Sequence, residues 1–152
     1  MSESDHVAML EKLDLFAGLS NRVLRRLAQS GREERYDPGA AVLQEGEAVS
    51  GFRAFSEKGV ELHVVLQGGA DVAVGGTSHG TLSPGDYFGE LSLIDGAPRS
   101  ADVTAGPDGL RTFALPKWTF EALLADHPEI AVPMLKVMVG RLRASEAGHR
   151  GD

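Results

Sequence analysis

Cysteine is absent from all 152 residues, which excludes disulfides, thiolate nucleophiles and zinc sites built on sulfur. Aromatic residues are scarce, 6% of the chain with a single Trp, and no uninterrupted apolar run approaches the roughly 18 residues that a membrane span needs. The opening Met1-Ser2-Glu3-Ser4-Asp5 has neither the basic flank nor the apolar stretch of a secretory signal, so a cytoplasmic location without membrane contact is expected. Positive charge is in deficit: 15 Lys and Arg against 22 Asp and Glu leave a net charge of -7, which repels a phosphate backbone. Apart from Arg25-Arg26 and the Arg141/Arg143 pair the basic residues are dispersed, and no nucleic-acid partner is expected. Repeats and low-complexity tracts are missing too. What remains is an ordinary globular composition, 42% hydrophobic and 24% charged, of a length that suits a single domain.

Periodicity divides the chain into three stretches. Residues 1–31 read as two short helices, the second capped by Ser20, carrying Val23, Leu24 and Leu27 on one face and stopping at Gly31; Leu15 to Leu19 form a tight apolar turn between them. Residues 32–115 carry short β-branched runs broken by Asp37-Pro38-Gly39, Gly68-Gly69, Gly75-Gly76 and Ser83-Pro84-Gly85. Strands are expected over Glu33–Tyr36, Ala41–Gln44, Glu61–Leu66, Asp71–Val74, Asp86–Phe88, Ser100–Ala105 and Leu110–Ala114, with a short one near Thr81-Leu82. Such frequent turns indicate a small sandwich or barrel. Over residues 116–147 the period becomes helical again, with Trp118, Leu123 and Leu124 on a first helix and Ile130, Met134, Val137, Met138 and Leu142 on a second. Pro133 either starts or kinks that second helix.

The informative segment runs from Pro84 to Ala101. A strand ends at Phe88, Gly89 permits close backbone approach, and a short helix from Glu90 through Leu91 and Ser92 to about Ile94 aims unsatisfied N–H groups at whatever precedes it. Arg99 supplies a planar cation able to hold a phosphate through two parallel bonds. Glu90 would repel a phosphate, unless it accepts a ribose 2′-hydroxyl as acidic residues do in dinucleotide sites. Phosphate donors and a sugar acceptor about ten residues apart suggest a compact ribose phosphate.

Gly89-Glu90-Leu91 and Pro98-Arg99-Ser100-Ala101 resemble, at this spacing, the phosphate-binding cassette of cyclic-nucleotide-binding domains, as found in catabolite activator proteins, cyclic-nucleotide-dependent kinases and cyclic-nucleotide-gated channels. The resemblance extends to the order of elements over most of the chain. It implies an α+β fold: an antiparallel β-roll, jelly-roll-like, with N-terminal helices and two C-terminal helices. It further implies that Glu90 binds the ribose 2′-hydroxyl and Arg99 the cyclic phosphate, with Phe88, Gly89, Leu91, Ser92, Pro98, Ser100 and Ala101 around them. A hydroxyl residue at position 100 is compatible with either purine; cAMP is the expected ligand and cGMP the alternative. In the family the last helix closes over the base and often lines a dimer interface, so Arg141 or Arg143 is expected to stack on the purine and a homodimer to form through that helix.

Ala48–Gly59 departs from the family pattern as an insertion, read either as a surface loop or as a partner-docking segment. Gly76-Thr77-Ser78-His79-Gly80 fits the G-x-S-x-G pattern of serine hydrolases, but with another turn following rather than a helix it reads as a β-turn. The histidines His6, His63, His79, His127 and His149 show no metal-ligand spacing and read as surface or turn residues; Glu33-Glu34 and Asp102/Asp108 read as solvated charges. With no helix-turn-helix after the last helix, the expected function is a cyclic-nucleotide sensor, not an enzyme, that signals to an unidentified protein effector. The competing reading is a nucleotide-independent interaction module with a degenerate cassette.

Overall fold

The computed structural model describes residues 1–43, 61–90 and 101–150. These divide into two compact units, one of residues 1–29 with 121–152 and one of residues 30–120.

The first unit is helical. Helix α1 (Glu3–Glu11) begins with a capping box in which the Ser2 side chain accepts from the Asp5 N–H and the Asp5 carboxylate accepts from the Ser2 N–H. The Ser2 backbone N–H, with its hydroxyl, holds the Asp5 carboxyl below its ordinary value. A 3-10 turn over Asp14–Phe16 buries Leu15 and Phe16. Helix α2 (Asn21–Ser30) then starts at Ser20, whose Oγ accepts the Val23 N–H at 3.3 Å, and buries Val23, Leu24, Leu27 and Ala28. Cap, buried face and stop all follow the sequence reading. Helix α3 (Lys117–Asp126) leads back from the second unit, and after a 3-10 turn at Pro128–Ile130 comes helix α4 (Ala131–Arg150). Pro133 sits in the first turn of α4, where a backbone N–H has no helical partner to lose. The proline therefore goes with a helix start, not a kink.

The second unit is the β-roll. Its strands are β1 (Arg32–Tyr36), β2 (Ala41–Leu43), β3 (Glu61–Val74), β4 (Thr77–Leu82), β5 (Tyr87–Phe88) and β6 (Asp102–Pro116). Every pairing is antiparallel, in the order β1-β6-β3-β4, with β2 also on β6 and β5 also on β3. This is the α+β roll with flanking helices that the sequence implies.

Two pairs of expected strands are in fact single long ones. Glu61–Leu66 and Asp71–Val74 join as β3, and the expected Ser100–Ala105, from Asp102 onward, joins Leu110–Ala114 as β6. The glycines between them are bulges instead of turns: the β3–β6 register shifts between Val65 and Gln67 and again between Gly68 and Ala70. Gly68 has φ 79, and a Cβ there would run into the Gly109 carbonyl oxygen, so the two strands cross where neither has a side chain. Gln44 and Ser100, at the ends of two expected strands, and the insertion Ala48–Gly59 lie outside the described residues.

The G-x-S-x-G segment is a second correction. Gly75 and Gly76, with φ 59 and 80, make the turn, while Thr77 to Leu82 form the exposed strand β4. Ser78 pairs with Ala73 in a ladder instead of standing on a strand-to-helix elbow.

Inside the roll, Val65, Ala70, Phe88, Val103, Ala105 and Leu110 form a buried cluster with Tyr36, Ala40, Val42, Val72 and Leu82 against it. Gly31 closes the other side of the sheet: a Cβ there would strike the Phe113 ring and stand 2.7 Å from the Ala114 oxygen.

Candidate functional site

The strand that leads into the expected cassette is fixed by its turn. Ser83-Pro84-Gly85-Asp86 puts Pro84 where a fixed negative φ suits and Gly85 at φ 95, with the Asp86 N–H donating to the Ser83 oxygen at 2.9 Å. The Ser83 N–H donates to Asp86 Oδ2 at 2.8 Å. Two further bonds staple this turn to β3: the Val65 N–H donates to the Asp86 oxygen (2.8 Å) and the Gly85 N–H to the Val65 oxygen (2.9 Å). The chain therefore enters β5 in a set register, with Tyr87 opposite Val64 and Phe88 opposite His63.

Phe88 is buried and lies flat on the His63 ring, with centroids 4.8 Å apart and planes 8° off parallel. Gly89 follows at φ 87, a value open to glycine at little cost, and half-buried Glu90 comes next in helical conformation. At the far end, half-buried Ala101 bends into β6, whose first residue, Asp102, stands opposite Ala73. Both ends of the cassette are thus tied to one strand, at His63 and at Ala73.

Of the expected site residues, the structure brings Phe88, Gly89, Glu90 and Ala101 onto this frame. Leu91, Ser92, Pro98, Arg99 and Ser100 lie outside the described residues. Arg141 and Arg143 belong to the other unit, exposed on α4.

Sequence reasoning missed the polar wall beneath Phe88. His63, read as a surface or turn residue, is 3% exposed. Its Nδ1 shares a 3.0 Å hydrogen bond with the Oγ1 of fully buried Thr112, and Tyr36 meets its ring edge-on at 6.2 Å. The signal was there in the alternation of Glu61, His63 and Val65, which puts all three on the inner face of β3.

Glu34, likewise expected to be solvated, is part of an ion-pair cluster: Arg32 Nη2 reaches Glu34 Oε1 at 2.8 Å and Glu61 Oε2 at 2.9 Å. Glu61 is almost wholly buried, and the arginine offsets the cost of its desolvation. Glu33 pairs with Arg111 at 3.2 Å on the opposite face. Among the described residues no group of His, Asp or Glu is arranged to hold a metal, and no helix is long and apolar enough to cross a membrane.

A family model described as "Cyclic nucleotide-binding domain" matches residues 33–127, which contain the whole cassette. The chain is 38% identical over 96 residues to a cAMP-dependent protein kinase regulatory subunit of Mycosarcoma maydis, covering 63% of this chain and 17% of that protein. It is 34% identical over 123 residues to the corresponding subunit of Yarrowia lipolytica, covering 78% and 30%. Among solved structures it resembles the Catabolite Activator Protein of Thermus thermophilus, with a TM-score of 0.74 and 25% identity over 90% of this chain and 62% of the other. The chain thus spans less than a third of the kinase subunits it matches.

Proposed function

The chain belongs to the cyclic nucleotide-binding domain family, and on that premise we propose that it is a cAMP sensor that signals through another chain. The observation that carries the reading is the match over residues 33–127, which encloses Gly89-Glu90-Leu91 and Pro98-Arg99-Ser100-Ala101 at the family's spacing. The frame described above supports it. A buried, stacked Phe88 and a positive-φ Gly89 lead into Glu90, itself in helical conformation, the position this reading gives to the ribose acceptor. The kinase regulatory subunits carry cAMP in their names, which favours adenine over guanine. In this reading Leu91, Ser92, Ser100 and Ala101 line the phosphate, Arg99 clamps it, and Arg141 or Arg143 caps the base. The domain binds its ligand and performs no chemistry on it, and a cytoplasmic location is part of the same proposal.

Calorimetry with cAMP and cGMP tests it. Saturable micromolar or tighter binding is expected, stronger for cAMP. Folded protein, free of carried-over ligand, that gives no heat with either nucleotide would sink the proposal and leave a nucleotide-independent interaction module.

The output proposed for this sensor passes through α4, whose faces differ from the sequence reading. Ile130 and Met134 are buried and Val137 and Met138 half-buried, but Leu142, expected on the same face, is 60% exposed. It belongs with Val132, Leu135 and Val139 to an exposed stripe spaced three, four and three residues apart. Val and Leu alternate along it as at the a and d positions of a two-stranded parallel coiled coil, so a second copy is the proposed occupant. Sedimentation should then show a dimer, and Leu135→Asp should shift it to monomer. A wild type that stays monomeric at the highest attainable concentration would remove the dimer from the proposal.

A further inference from the structure

The outer face of the roll carries a polar row across three neighbouring strands. Arg35 on β1, Arg111 on β6 and Gln67 on β3 are direct cross-strand neighbours. Like charges placed opposite each other on antiparallel strands repel. Glu33 takes up part of Arg111, through Nη1 at 3.2 Å, but the buried Arg111 Nε has no acceptor among the described residues. Arg35 is exposed and makes no ion pair among the described residues.

This row borders an open cavity of about 500 Å³, within the range that holds small organic ligands. Its floor is backbone, because Gly68 and Gly109 meet there without side chains. Two carboxylates share the lining, Asp37 from the β1–β2 turn and Asp108 from the excursion in β6. The two segments adjoin: a Cβ on Gly109 would stand 3.7 Å from the Pro38 ring. Neither aspartate is paired with either arginine among the described residues. The cavity therefore has its cations on paired strand positions and its anions in the β1–β2 turn and the irregular stretch of β6, unpaired with each other among the described residues.

We propose that this outer cavity is a second ligand site, for a free amino acid or similarly small zwitterion, with the carboxylate held between Arg35 and Arg111 and the ammonium group by Asp37 and Asp108. A simple anion fits the lining less well. Counting Glu33, the site has three carboxylates against two guanidinium groups, so a phosphate or carboxylate alone would add to a local negative excess. A zwitterion adds no net charge and meets both halves. Its carboxylate gains charge-assisted bonds from planar donors, which is where arginine outperforms lysine. None of the described residues lining the cavity belongs to Pro84–Ala101, and the second site does not rest on cAMP binding.

The test is an NMR titration of the full chain that follows the Nε–Hε signals of Arg35 and Arg111, using each of the twenty proteinogenic amino acids in turn, with acetate and methylammonium as half-ligands. At least one amino acid should shift both signals saturably, with affinity in the millimolar range or tighter and about tenfold or more above either half-ligand. Arg35→Ala, a change at an exposed side chain without an ion pair among the described residues, should abolish the shift at Arg111 and leave the melting temperature and cAMP affinity unchanged. The proposal is overturned if no amino acid gives a saturable shift, if acetate binds as well as the best amino acid, or if the Arg35 variant binds like wild type.

Discussion

Arg99→Ala is expected to weaken cAMP binding by about ten- to a hundredfold or more in calorimetry while leaving the melting temperature near that of wild type. A hydrogen bond to a charged group contributes about 1.5–3 kcal/mol, and each 1.4 kcal/mol is a factor of ten in affinity. The cyclic phosphate carries one negative charge, and in the proposed reading Arg99, within Pro98-Arg99-Ser100-Ala101, is the cation set against it. Arg99→Lys should recover only part of the loss, because a point-like ammonium cannot make two parallel bonds to one phosphate. Unchanged affinity in Arg99→Ala would mean that the phosphate is held elsewhere and that the assignment of the cassette is wrong.

Gly68→Ala should cost about 2–4 kcal/mol of stability, a drop of roughly 6–12 °C in a domain of this size. Two effects add at this position. The backbone is at φ 79, where a Cβ is strained, and the Cβ would also collide with the Gly109 carbonyl at the crossing of β3 and β6. Gly75→Ala separates the two effects, since Gly75 has φ 59 but nothing within 4 Å of its Cβ position. It should cost only about 1 kcal/mol. Thermal denaturation followed by circular dichroism measures both; equal losses would show that the crossing is not what demands glycine at position 68.

Local chemistry made much of this fold legible. Ser20 before an apolar-periodic run and Gly31 after it bound α2 because a cap and a stop act within one turn of the chain. The Ser83-Pro84-Gly85 turn and the end of β5 at Phe88 were readable for the same reason, and with them the Gly89-Glu90 step of the cassette. What escaped depends on partners far away in sequence. Gly68-Gly69 carries the same signal whether the chain turns or bulges, and the presence of β6 alongside decides the outcome. His63 looks like a polar interruption until Phe88 and Thr112 come to rest on either side of it. Leu142 continues a plausible apolar face by spacing alone, yet that face ends at Met138 and a different stripe begins.

The placing of β6 bears on how the protein is made. This strand pairs with β1, β2 and β3, and it is the last of the described strands to leave the ribosome. Until about Pro116 has emerged, the nascent chain holds earlier strands whose shared neighbour does not yet exist, so the roll cannot assemble progressively from its N-terminus. Contacts this distant in sequence slow folding and leave strand edges open to other chains while it waits. A pause after Val74 but before Pro116 has emerged thus prolongs the period of greatest aggregation risk, whereas a pause once Pro116 is out leaves every strand described for the roll free to pair.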